Sequence, residues 1–443
     1  MMMAADGWYT FTGRDGEVIP RNATRVRIDV SLTVIPANAF YMNPSIEEVE
    51  CHVDVKTVEG SAFFCCLSLR RVIMPGVEVV KKEAFHFCEA LTYVECDKLE
   101  RIGFGAFFDC KSLRIIKLPS AKIVGWAFTG CTALTNVEFG KEMESIGGKA
   151  FYRCTSLERI TIPLKDGIIT ENNTFKKFIP ANAFYMNPSI EEVECHVDVK
   201  TVEGSAFFCC LSLRRVIMPG VEVVKKEAFH FCEALTYVEC DKLERIGFGA
   251  FFDCKSLRII KLPSAKIVGW AFTGCTALTN VEFGKEMESI EEKAFYRCTS
   301  LERITIPLKD GIITENNTFK KCENLKHVDL VGGGGVHETI AALLLEGWKN
   351  DMDREINSIN QSLPTTPAGD DFNDAGGKAL AIRMWIRSVL RKIIHYKAQH
   401  QSFLNEAATT LQHTLPRDIM VNNVLPFLEL PSYTFEVGDH EEE

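Results

Sequence analysis

Seventeen cysteines stand among 443 residues, enough for a metal centre, a disulfide framework or a redox relay. A structural zinc site needs its thiolates grouped, as Cys-x-x-Cys pairs or with histidines at short spacing. The cysteines at 66, 88, 110, 131 and 154 instead return about every 22 residues. A residue with that period holds one place in every turn of a repeat, so the spacing points to buried thiols, which pack as small hydrophobes. Stacked turns would bring such cysteines within about 5 Å, inside disulfide reach. Thiols remain the expectation for a chain in a reducing compartment. In the adjacent pairs Cys65-Cys66 and Cys209-Cys210, the first member should face the other way.

No other chemistry converges. The chain has no Gly-x-Ser-x-Gly elbow, no phosphate loop and no His-Glu-x-x-His. The glycines at 332–335 are not followed by Lys-Ser or Lys-Thr. His86 and His230 each adjoin a phenylalanine of the repeat, as packed or turn-surface residues do. The carboxylates recur with the repeat, as surface positions do. The expectation is a protein with no catalytic residue, no metal and no cofactor.

The elements behind this spacing are repeats at two scales. Residues 35–177 recur as 179–321 and differ only where Gly147-Gly148 becomes Glu291-Glu292. Inside each copy an Ala-Phe marker, once Thr-Phe, places phenylalanines at 40, 63, 85, 107, 128, 151 and 175, and again at 184, 207, 229, 251, 272, 295 and 319. From Phe63 to Phe151, each is followed by Cys after three residues and Leu after three more. Alternating apolar residues come next, such as Leu69, Val72 and Met74, or Leu113, Ile116 and Leu118. Period two marks a short strand with one buried face. One 22-residue turn cannot bury its own apolar residues, so the turns must stack and align their strands in parallel. Fourteen turns at strand spacing would span roughly 65 Å.

The pattern Ala-Phe-x-x-Cys-x-x-Leu-x-x-Ile/Val resembles the BspA-like leucine-rich repeats over about residues 33–330. The resemblance implies a solenoid, a horseshoe or ladder with one short strand per turn in a parallel sheet, that presents a protein-binding face. Asn43 and Asn187 depart from it by standing where Cys is expected, as does Phe178. Phe175 and Phe184 are nine residues apart where a turn needs about 22. A kink, bulge or break in the stack is expected there.

The chain is expected to divide into an N-terminal cap (1–34), two repeat arrays (35–177 and 178–330) and an α-helical region (331–443). In the cap, Tyr9 and Phe11 precede a turn at 13–16, and Val26, Ile28 and Val30 alternate as a strand. After the glycine joint, helices are expected over 337–362 and 378–412, with a polar linker at 364–377 and short pieces over 415–433. This tail resembles helical C-terminal regions attached to such repeats in proteins of unicellular algae. The helix 378–412 sets an apolar stripe (Ile382, Ile386, Val389, Ile393, Tyr396) beside a basic one (Arg383, Arg387, Arg391, His395). It reads as a cap helix; the other reading is a tail that binds membrane or an acidic partner.

The outward strand positions are the candidate binding residues: Arg71, Tyr93, Glu95, Lys117 and Arg159, with copies Arg215, Tyr237, Glu239, Lys261 and Arg303. Tyrosine and arginine are enriched in binding hot spots. The leading expectation is a non-enzymatic scaffold on whose concave sheet face a protein partner binds, two copies of it on two like arrays, with helix-mediated self-association. A surface adhesin is the alternative. The net charge of −10 argues against nonspecific nucleic-acid binding. No run of about 18 apolar residues suggests a membrane span. Residues 1–10 lack a secretory pattern, so a cytoplasmic or nuclear location is expected.

Overall fold

The structure, a computed structural model, describes residues 7–118, 122–140, 145–162, 178–263, 265–267, 269–331 and 377–412. The expected glycine joint, the helix 337–362, the linker before Gly377 and the pieces at 415–433 lie outside the described residues. The chain forms two compact units, Met1–Arg258 with Ala271–Thr276, and Ile259–Trp270 with Ala277–Glu443.

In the first unit the turns are variations on one inward set. Leu69, Val72, Met74, Val77, Val80, Ala84, Phe85 and Cys88 are all fully buried. The alternation sends Val72 inward and leaves Arg71 exposed, as period two requires. The strands Tyr9–Phe11, Arg25–Ile28, Glu48–Glu50, Arg71–Ile73 and Tyr93–Glu95 pair in parallel. Ile115–Leu118 pairs with Asn136–Phe139. Arg159–Ile162, Glu192–Cys195, Arg215–Ile217 and Tyr237–Glu239 form a further parallel sheet. The fold is the expected parallel solenoid, with a second ladder in addition. Two-residue strands such as Thr57–Val58, Val79–Val80, Arg101–Ile102 and Lys122–Ile123 also stack in parallel. Two residues are too few to show periodicity, so this ladder had no sequence signature.

The corner between the ladders explains the Ala-Phe marker. Ser61 and Cys65 sit in the left-handed region, at φ 56° and 57°. The N–H groups of Ser61, Phe63 and Cys65 donate to the carbonyls of Lys82, Ala84 and His86 in the next turn, while Ala62, Phe64 and Cys66 donate back within their own. Each left-handed non-glycine residue costs about 1 kcal/mol or more; the inter-turn hydrogen bonds offset it. Alanine fits the tight corner, and the phenylalanines stack as a spine from Phe40 to Phe272 with ring centroids 4.8–5.5 Å apart.

The cap begins the stack. Phe11 lies 4.8 Å from Phe40, and the Glu17 carboxylate accepts from the Tyr9 hydroxyl (2.6 Å) and from the Thr12 backbone and hydroxyl. Val30 does not continue the strand as expected; the strand ends at Ile28 and Val30 is 81% exposed.

Of the defects expected at the junction of the copies, the break into separately packed arms is corrected. Arg159–Ile162 pairs in continuous parallel register with Glu192–Cys195, and Phe151 stacks on Phe184 at 5.5 Å. The described stack passes from the sixth turn of one copy to the first of the next; residues 163–177 are not among the described residues. Stacking needs only a matching turn above and below, which Phe184 provides to Phe151.

The second unit holds the parallel strands Ile259–Leu262, Asn280–Phe283, Arg303–Ile306 and His327–Leu330 and the helix α1, Gly377–Gln412. Ile382, Trp385, Ile386, Val389 and Leu390 are buried. The Lys378 ammonium donates to the carbonyls of Cys322, Glu323 and Leu325, backbone acceptors of the last turn. Arg383 donates to the Thr314 carbonyl, and Arg387 pairs with Asp310 at 3.0 Å. The basic stripe therefore begins as docking contacts on the repeats. The side chains of Ile393 and Tyr396 lie outside the described ones. Among the described residues, no helix is long and apolar enough to cross a membrane.

Candidate protein-binding face

The recurring cysteines are packed in the core of the stack. All seventeen are free. Cysteines of the marker donate an S–H to the phenylalanine carbonyl of the preceding turn, such as Cys66 to Phe40 (3.0 Å), Cys110 to Phe85 (3.1 Å) and Cys232 to Phe207 (3.2 Å). Burial pushes Cys51 and Cys96 up to about 12, so they stay thiols, and a buried neutral thiol is a poor nucleophile. Cys65 and Cys209 are half-exposed beside buried Cys66 and Cys210, as the adjacent pairs suggested.

The outward row of the long-strand ladder carries the charge. In register, Arg25, Glu48, Arg71 and Tyr93 are successive neighbours. Glu48 bridges Arg25 (3.4 Å) and Arg71 (3.3 Å). The Arg71 guanidinium lies 5.5 Å from the Tyr93 ring centroid, and the Tyr93 hydroxyl donates to Glu95 at 3.3 Å. The arrangement recurs where the second copy begins: Glu192 lies 3.9 Å from Arg159, the first copy's last cation in the row, and 3.7 Å from Arg215, which covers Tyr237 at 5.5 Å. The Tyr237 hydroxyl donates to Glu239 at 3.2 Å, and that bond to a carboxylate holds its pKa above the usual phenol value. Lys117 reaches Glu138 at 3.8 Å.

Of the candidates in the first unit, Arg71, Tyr93 and Glu95 share one sheet, and Arg159, Arg215, Tyr237 and Glu239 another; Lys117 stands on the two-stranded sheet. In the second unit, Lys261 pairs with Glu282 at 3.1 Å and Arg303 with Asp329 at 2.7 Å. Tyr93 and Tyr237 are each 47% exposed. Exposed ion pairs contribute little stability, about 0–1 kcal/mol each; what they do is hold long side chains in one arrangement. The sequence reading missed the cap's share. Arg25 and Arg27 lie 5.7 Å and 4.8 Å from the Trp8 ring, and Arg27 pairs with Glu50 at 3.2 Å. Their placement on either side of buried Val26 was the available signal.

A family model described as the BspA type leucine-rich repeat region (6 copies) matches residues 20–123, 78–178, 101–236, 177–268 and 264–340. Among solved structures, the chain is similar to a leucine-rich repeat protein from Bacteroides ovatus, with 26% identity over 70% of this chain and 84% of that one and a TM-score of 0.55. It is also similar to a leucine-rich cell surface protein from Faecalibacterium prausnitzii (22% identity, 69% and 79% covered, TM-score 0.31) and to a pneumococcal vaccine antigen (17%, 73% and 82%, TM-score 0.37). No curated protein sequence matches the chain.

Proposed function

The chain belongs to the BspA-type leucine-rich-repeat family, and from that premise we propose that it is a non-enzymatic scaffold that binds a protein partner on the outward row of its long-strand ladder. The family's fold is generally a scaffold for protein–protein interaction or surface adhesion, and nothing points to catalysis. One observation carries the finer reading: the Glu–Arg–Tyr row recurs in both copies with the same partners, set by register. A stiff row of arginine and tyrosine loses little side-chain freedom on binding. Two like rows suit two copies of one partner, and linked sites raise avidity where geometry permits. A reducing compartment suits seventeen free thiols.

The test is affinity capture with the full chain and with a folded variant in which Arg71, Tyr93, Arg159, Arg215, Tyr237 and Arg303 are changed to Ala. A partner lost by the variant, with two bound per wild-type chain, supports the reading. A partner held equally by both baits removes the binding from this row.

A further inference from the structure

The short-strand ladder carries a different surface. In the first unit a groove of about 400 Å³ is lined by Val79, Val80, Ile102 and Gly103, with the cations Lys81, Lys82, Arg101 and Lys122 and with Val124. Gly103 lets the turns close up: a Cβ there would lie 2.5 Å from the Lys82 nitrogen. Val124 and neighbouring Phe104 are 43% and 47% exposed, so apolar surface continues beside the groove.

Among the described residues, four cations and no carboxylate line this groove. Lys81 is satisfied by Glu59 at 2.7 Å. Lys82, Arg101 and Lys122 are exposed and make no ion pair among the described residues. Arg101 and Lys122 are direct register partners. Like charges placed opposite on neighbouring strands destabilise a sheet. In the first unit each cation of the long-strand ladder has a carboxylate as a register neighbour, as in Arg25–Glu48–Arg71. Beside the short strands Lys56 and Lys81 are paired with Glu78 and Glu59, whereas Lys82, Arg101 and Lys122 stand together without a carboxylate partner among the described residues.

The difference between the copies adds to this. Gly147 abuts the groove's Val124 end: a Cβ there would lie 2.6 Å from the Val124 carbonyl carbon. The second copy has Glu291-Glu292 at the corresponding pair. The first copy therefore carries no carboxylate at that pair.

We propose that the groove at Lys82, Arg101 and Lys122 binds an acidic peptide segment of a protein partner. Its carboxylates pair with the three cations, and apolar side chains between them lie on the apolar lining and Phe104. The apolar lining favours a peptide over a free phosphate, and the chain's net charge of −10 opposes a long polyanion such as nucleic acid.

The test uses the full chain and a fluorescein-labelled peptide that alternates glutamate with leucine and phenylalanine, read by anisotropy. Binding is expected at about 50 mM salt and is weakened at about 500 mM, where the screening length falls to a few ångströms. The variant Lys82→Gln/Arg101→Gln/Lys122→Gln should bind about tenfold more weakly, as three lost exposed pairs imply. It should melt no lower than wild type, because it relieves repulsion. The variant Arg71→Gln/Lys117→Gln/Arg159→Gln, on the other ladder, should bind this peptide normally, which separates this site from the proposed scaffold row. Equal affinity in the groove variant overturns the proposal. So does equal binding of a glutamine-for-glutamate peptide, or tighter binding of inorganic phosphate or of phosphatidylserine vesicles than of the peptide.

Discussion

Asn43 and Asn187 have the same neighbours in sequence and different neighbours in space. In the first turn, Asn43 is half-exposed and its side-chain oxygen accepts from the N–H groups of Ser45 and Ile46 at 2.9 and 3.2 Å. Asn187 is fully buried, and its amide donates 2.9 Å to the Phe151 carbonyl, the bond that a cysteine thiol makes in the other turns. Its oxygen is buried with no hydrogen-bond partner. Identical sequence thus serves as a turn cap at the start of the stack and as a substitute thiol inside it. What lies one turn before decides which, because an inter-turn bond needs an acceptor there.

The largest expected effect tests whether position in the stack sets the energetics. Phe184 is stacked on both Phe151 and Phe207, whereas Phe40 is stacked on Phe63 and only tilted against Phe11. Phe184→Ala should destabilise by about 3–5 kcal/mol and Phe40→Ala by about 3, at the low end of large-to-small core changes, in denaturant unfolding. A greater loss at Phe40 would break the comparison.

A smaller pair sharpens it. Asn187→Cys restores the thiol donor and removes a buried orphan oxygen, so it should stabilise by about 1 kcal/mol. Asn43→Cys removes two accepted hydrogen bonds and should destabilise by about 1 kcal/mol. The same substitution with the same sign at both sites would show that context does not matter.

The smallest effect is one the copies should share. His86 stacks between Phe64 and Phe108 at 5.2 and 4.5 Å, and His230 between Phe208 and Phe252 at 5.1 and 4.4 Å. Burial holds both below the usual histidine pKa, against the opposing pull of nearby carboxylates. A depressed histidine means the unfolded chain binds more protons. The stability from keeping these rings neutral is therefore full above the unfolded pKa of about 6.5 and declines as pH falls through the folded value. Melting should drop between neutral pH and about pH 5, and less so in His86→Phe/His230→Phe. Equal acid sensitivity in that variant would assign the drop to other groups.

Much was legible beforehand. The 22-residue period placed Phe63, Cys66, Leu69 and Val72 in the core, since stacked identical turns leave no other place for an apolar residue that recurs. The same alternation put Arg71, Tyr93 and Glu95 outward. The short-strand ladder was not legible, nor was the seating of Trp385, whose burial depends on a docking surface remote in sequence.

The sequence by itself determined the turn, its inward set and the parallel stacking, because these follow from a local period and the need to bury apolar surface. Only the tertiary structure decided which turn follows which at the junction, where Phe151 meets Phe184 across 33 residues. It alone also decided which cations meet carboxylates and which meet one another. Register between turns sets those distances, and a short-range pattern carries no record of it.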